Sequence, residues 1–179
     1  LAQAGAQTLL VGLDGVLRYA PLPALHDGTG YLVERYPVVM YTEAARDRLR
    51  DEAAGDWSVA AFGATEGDDE FAPLPSVREE LRGIVRGEDT STGVLAGRLH
   101  LDEAFTQEAL TTSLWDGLPV LHIASHFRFK PGNETQSVLL LGDGSRLSLA
   151  EMTGYDFGAV DLVTLSACET AVGGGREAD

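Results

Sequence analysis

The chain has 179 residues, 44% of them hydrophobic, and a formal net charge of −15 from 28 acidic against 13 basic side chains. That length holds one domain with a core of its own, and the excess of negative charge argues against a phosphate-tracking nucleic-acid surface or an anionic membrane as partner. A single cysteine forms neither an internal disulfide nor a cysteine-based zinc site, no apolar run is long enough to cross a bilayer, and no basic-then-apolar leader is visible, so the expectation is a cytoplasmic protein in a reducing compartment.

Thr8–Gly12 reads as a short strand, Asp14-Gly15 as a turn, and Val16–Tyr19 as the returning arm of a hairpin that Pro21 and Pro23 end. Pro23–Leu25 opens a short helix and Asp27–Gly30 is another turn. Tyr31–Glu34 reads as strand or as a short approach to a buried strand over Val38–Tyr41. Thr42 then caps a helix over Glu43–Glu52. Trp57–Gly63 is a strand and Ala64–Leu74 an acidic loop. Pro75–Val85 is a helix, capped by Ser76 with Glu79 in capping-box spacing, and its apolar stripe is Val77, Leu81, Ile84 and Val85. After a polar loop over Gly87–Gly93, Val94–Ala96 is a short strand, Thr106 or a neighbour opens a helix to about Leu114, and Leu118–Ala124 is a strand. Ser137–Leu141 and Arg146–Leu149 flank Gly142-Asp143-Gly144 as a hairpin, and Ser148 with Glu151 caps a short helix. Asp161 leads into a last buried strand, Leu162–Leu165. This alternation predicts an α/β fold with a mainly parallel central sheet and inserted hairpins, in one domain over residues 1–179.

Two strand ends carry the chemistry. His126 stands just past the end of Leu118–Ser125, and Cys168, the lone cysteine, stands just past Leu162–Leu165. In open α/β sheets reactive groups collect at the carboxyl ends of strands. If these two strands are parallel neighbours, an imidazole and a thiol meet on one edge, the arrangement a Cys–His dyad needs. The plain alternatives are an inert buried cysteine and a core or surface histidine. Phe127 and Phe129 offer the imidazole an apolar wall, and backbone N–H groups after the Cys168 strand can gather as an oxyanion hole. His122, four residues before His126 and on the same strand face, reads as structural, hydrogen-bonded to backbone. His26 and His100 join no constellation. Asp14, Arg18 and Glu169 adjoin apolar runs and are candidates to line a substrate pocket, with surface ion pairs as the alternative. No histidine spacing suits a metal, and Gly173–Gly175 lacks the order of a phosphate loop, so neither metal nor cofactor is expected.

The stretches HIASHF and LVTLSACETAVGGG, together with DGVLRYAPLPALHDGTGYLVERY, FAPLPSVREEL and LLLGDGSRLSLAEM in this order, resemble the CHAT domain family, caspase-like domains of the clan that holds caspases, gingipains and separase. The resemblance runs from about Leu9 onward. It implies a caspase-like three-layer sandwich whose carboxyl-terminal part is missing, because related enzymes continue past the cysteine with further strands and helices. It also implies a cysteine endopeptidase with His126 and Cys168 as its dyad and the N–H groups of Phe127 and Cys168 as its oxyanion hole. An attached tetratricopeptide-type regulatory domain and a protein or peptide substrate are the expected partners, with no nucleic acid and no membrane. One residue departs from the family pattern: the glycine common after the histidine is Phe127 here. Two rival readings follow, a catalytically degenerate module for protein interaction and a hydrolase or transferase acting on a small thioester or amide.

Overall fold

A computed structural model of the chain describes residues 5–14, 17, 20–46, 55–87 and 92–167. The chain divides into two units, Leu1–Glu52 and Ala53–Asp179. No helix among the described residues is long and apolar enough to cross a membrane.

In the first unit, strand β1 (Leu9–Gly12) pairs in parallel with β2 (Val38–Tyr41), Leu9 opposite Val38 and Gly12 opposite Tyr41. Most of the expected returning arm, Val16–Tyr19, lies outside the described residues. Leu17 is the one described residue of that segment, and its N–H bonds back to the carbonyl of Asp14 in a helical turn. Neither strand is buried, although Val38–Tyr41 reads as a buried strand: Leu10, Val39 and Met40 are exposed. Leu22–Ala24 is a 3-10 turn. At Asp27–Gly30 the carboxylate of Asp27 accepts the N–H groups of Thr29 and Gly30 and the guanidinium of Arg35 (2.6 Å). These bonds, the Thr29 hydroxyl first, hold Asp27 well below the usual carboxylate range. Helix α1 (Leu32–Arg35) stands where strand or approach was expected, because Glu34 reaches back to the Tyr31 N–H (2.7 Å) and closes a first helical turn. Thr42 accepts from Ala45 N–H at the start of helix α2 (Glu43–Arg46), and the rest of that expected helix lies outside the described residues.

The second unit holds strand β3 (Ser58–Gly63), helix α3 (Val77–Ile84), strand β4 (Val85–Arg86) and strand β5 (Leu95–Leu101). Helix α4 (Gln107–Trp115) and strand β6 (Val120–Ala124) follow. Then come the short antiparallel strands β7 (Phe127–Arg128), β8 (Val138–Leu140) and β9 (Arg146–Ser148), helix α5 (Leu149–Met152) and strand β10 (Leu162–Ser166). The central sheet runs β10-β6-β3-β5-β4, parallel throughout.

Side chains on β3 alternate between its two faces. Val59 and Ala61 meet Val77 and Leu81 of α3, with Val120 and Ala124 beside them. Ala60 and Phe62 turn to the other face, against Phe105, Leu110 and Leu114 and the hairpin residues Leu139 and Leu147. Burial on both faces explains why β3 and β6 read as unbroken apolar runs rather than as alternating ones. Gly63 lets α3 come close, since a Cβ there would stand 2.5 Å from Leu81 Cδ1 and 2.6 Å from Val77 Cγ1. Thr106 caps α4 by accepting from Ala109 N–H, and Ser148 with Glu151 forms the expected capping box of α5. Ser76 caps nothing: it is already in helical conformation and its side chain accepts no amide.

Asp102, in the turn after β5, is the only described non-glycine residue with positive φ (51°). Its Oδ1 accepts both the N–H and the hydroxyl of Thr65 at 2.7 Å, and its Oδ2 receives Arg78 at 2.9 Å. One carboxylate thereby ties the start of the loop after β3 to α3 and to the end of β5. Gly142 packs on the same turn, where a Cβ would lie 2.1 Å from the Asp102 carbonyl oxygen. Gly142→Ala is expected to destabilise by about 1–3 kcal/mol through overpacking. Gly83→Ala, inside α3 with open space around it, should stabilise by about 0.5–1 kcal/mol. Urea unfolding of the two variants checks both signs.

Candidate active site

Strands β6 and β10 are parallel neighbours, in register from Leu162 opposite Val120 to Ser166 opposite Ala124. One further rung joins Ser125 N–H to the Ser166 carbonyl (3.1 Å). The expectation that the two strands end together on one edge holds. His126 follows Ala124 by two residues, and in sequence Cys168 follows Ser166 by two. Cys168 and Glu169 lie outside the described residues, as does Arg18. Asp14 is exposed in the first unit.

His126 is buried. Its Nε2 is 2.6 Å from the carbonyl oxygen of Ala72. A carbonyl only accepts, so Nε2 carries a proton, and in the singly protonated ring the lone pair is on Nδ1. The orienting carbonyl comes from the loop of residues 64–74. The apolar wall is not the expected one. Phe71 stacks on the imidazole, with centroids 4.8 Å apart and planes at 18°, while Phe127 and Phe129 stack on each other. Nothing local to the HIASHF stretch signals Phe71, which lies 55 positions earlier in the chain.

The chain around the imidazole is fixed on both sides. Ser125 is fully buried and its hydroxyl donates to the Leu140 carbonyl (2.6 Å), while Leu140 N–H donates to the His126 carbonyl (2.9 Å). That last bond makes Phe127 and Leu139 a non-hydrogen-bonded pair of the antiparallel ladder, so the Phe127 amide is directed away from β8. Phe127 is not among the residues with positive φ, so a side chain at this position brings no backbone strain.

The loop carrying Ala72 is folded by Asp68. Oδ1 of Asp68 accepts the N–H groups of Glu70 (2.8 Å) and Phe71 (2.9 Å), and its own N–H reaches the Phe71 carbonyl (2.9 Å). Leu74 N–H closes the loop on the Thr65 carbonyl. The Glu70 N–H, with help from the Phe71 N–H and Arg146, lowers the pKa of Asp68.

His122 belongs to a different contact set, between β10 and α3. Its Nδ1 meets the Thr164 hydroxyl (2.5 Å) and its Nε2 the Glu80 carboxylate (3.1 Å), so it is structural as expected, but through side chains instead of backbone. His100 stacks on Phe62 at 4.7 Å, and burial, aided by the charge of Arg98, lowers its pKa. Among the described residues no group of three or more His, Cys, Asp or Glu is placed to hold a metal ion.

A parallel sheet whose central strands β3 and β6 are covered on both faces, with a buried histidine past the carboxyl end of β6, is consistent with a caspase-like α/β sandwich. The chain belongs to the CHAT domain family, whose model matches residues 1–179, and CHAT domains are caspase-like, peptidase-related modules. No curated protein matches the sequence.

Because the folded pKa of Asp68 lies below its unfolded value, its contribution to stability is complete above the ordinary carboxylate pKa of about 4. It is lost as pH falls through the lower folded value. Asp68→Asn should therefore flatten part of the acid limb of the stability profile and leave its shape from pH 5 to 8 unchanged, as read by urea midpoints across pH.

Proposed function

We propose that this chain is a cysteine endopeptidase domain that cleaves a protein substrate through a Cys168–His126 dyad. The observation that carries the reading is the β6–β10 register, which ends both strands at one level of one edge, two residues short of each candidate. His126 Nδ1 takes the thiol proton of Cys168, and the thiolate attacks the scissile carbonyl. The N–H groups of Phe127 and Cys168 hold the resulting oxyanion. The tetrahedral adduct collapses as Nδ1–H protonates the departing amine, which leaves a thioester. Nδ1 next takes a proton from water, hydroxide adds to the thioester, and the C–S bond breaks to return thiol and carboxylic acid. Throughout, Nε2–H stays on the Ala72 carbonyl, which supports the ring as it becomes an imidazolium. The reading includes a cytoplasmic setting and an attached repeat domain as regulator.

A second reading, a degenerate caspase-like module for protein interaction, draws on β10. It is an edge strand of the described sheet, with Leu162, Val163 and Leu165 exposed by 37%, 51% and 39%. Apolar exposure of that kind on an edge strand suits association.

An electrophilic peptide probe separates the two. The first reading expects stoichiometric labelling at Cys168 that disappears in His126→Ala, and cleavage of a partner protein that falls to background in Cys168→Ala. Phe127→Gly should keep the cleavage rate within about tenfold, since the backbone amide is the working group. Unchanged cleavage in Cys168→Ala would overturn the assignment.

A further inference from the structure

The Ala72 carbonyl orients His126 only if its loop is held against the strands around the histidine. That loop is exposed and acidic, with Glu66, Asp68, Asp69 and Glu70 within five residues, so its own charges favour solvent. Two arginines of the hairpin meet it. Arg146, on β9, donates to Asp68 Oδ2 (2.6 Å) and Glu70 Oε2 (3.0 Å). Arg128, on β7 and two residues past His126, donates to the same Glu70 oxygen (3.0 Å). Both guanidinium carbons also stand near the Phe71 ring, 5.9 Å and 5.8 Å from its centroid for Arg128 and Arg146. Phe71 is thus in contact with two cations and the imidazole at once, and it immediately precedes Ala72.

Arg128 carries a further mark. Its Nε is buried without a hydrogen-bond partner among the described residues. A buried donor left unpaired is unfavourable and calls for an explanation. The guanidinium gives up that bond in a pose that places Nη1 on Glu70 and its charge beside Phe71. Such an arrangement suits a group whose position matters more than its own satisfaction.

We propose that Phe71, clamped by Arg128 and Arg146 through Asp68 and Glu70, is the positioning residue that sets the ring orientation and the Nε2–H tautomer of His126. The proposal rests on His126 being the dyad base only for its consequence in catalysis; the clamp itself is a statement about the imidazole. Phe71 acts as a plate against the ring face, and the ion pairs hold the plate and the adjacent carbonyl in one place. Removing the plate frees the loop and lets the imidazole rotate off Ala72.

Imidazole nuclear magnetic resonance of the full chain tests this, with His126 signals assigned by their absence in His126→Gln. In the wild type, His126 should show the Nε2–H tautomer and ring protons shifted by the Phe71 face. Phe71→Leu should remove that shift and mix the tautomers, Phe71→Tyr should restore both, and Arg146→Gln should move the signals part of the way toward those of Phe71→Leu. His126 signals that stay unchanged in both Phe71→Leu and Arg146→Gln, with the spectra otherwise folded, overturn the clamp whether or not the chain is a peptidase. Alkylation of Cys168 is read on the same samples. If Phe71→Leu moves the His126 signals as expected while the alkylation rate stays the same in Phe71→Leu and in His126→Gln, the clamp stands and the dyad falls. The proposal with its catalytic consequence expects that rate to drop at least several-fold in Phe71→Leu and to recover in Phe71→Tyr.

Discussion

Strand β6 is hydrogen-bonded along both edges, to β3 on one side and β10 on the other, and all three run the same way. Parallel pairing is what matters in that constraint. Two antiparallel neighbours would send their chains out at opposite ends of the sheet, whereas parallel ones release both at one end. With Ala124 opposite Ser166 and Ser125 adding one more rung, very little backbone freedom remains before the chain reaches His126. The Ser125 hydroxyl on Leu140 and the Leu140 amide on His126 remove most of what is left. The imidazole is therefore placed by ladder hydrogen bonds, which are cooperative and buried, and only its rotation is left to other groups.

That rotation is settled from elsewhere in the sequence. The loop of residues 64–74 brings the Ala72 carbonyl and the Phe71 ring, and the loop in turn depends on Asp102 at its start. Asp102 sits at a φ that costs a non-glycine residue about 1–3 kcal/mol. Its carboxylate accepts two part-buried charge-assisted hydrogen bonds from Thr65, each of which contributes about 1.5–3 kcal/mol, and these offset the strain; the exposed Arg78 pair adds little. The ion pairs further along the loop are exposed and individually worth about 0–1 kcal/mol. Asp102 thus anchors the loop at its start, while the position of its far end depends on several weak contacts acting together.

Most of the sheet was legible because fully buried parallel strands leave unbroken apolar runs, as in VAAF of β3 and VLHIA of β6, and these survive without knowledge of their neighbours. The β8–β9 hairpin, the cap at Ser148 and the start of α4 at or near Thr106 were legible because their determinants lie within a few residues. The parallel pairing of β1 with β2 was not legible, because a turn dipeptide says nothing of a strand that returns much later in the chain. Ser76 has the spacing of a cap, yet the chain is already helical there, so its side chain has no orphan amide to serve. The placement of His126 just past the end of β6 was legible from the apolar run before it. Phe71, Ala72 and Asp102 were not, since each acts across more than thirty residues of sequence and none sits in a pattern with its partner.

Position 127 shows how a departure from a family pattern is weighed against geometry. A glycine is required only where φ is positive or where a Cβ has no room. Phe127 lies in extended backbone, paired with Leu139, and its ring joins the partly buried apolar surface beside Phe129. Its N–H is turned away from β8 by the pairing itself, not by the size of its side chain. The amide direction, which is the property an oxyanion donor needs, is thus encoded in the hairpin register, and that register is held by Leu139, Leu147 and the buried Ser125–Leu140 bond. Substitution at 127 leaves all of these in place, so the residue type there is free to vary in a way that Ser125 and Leu139 are not.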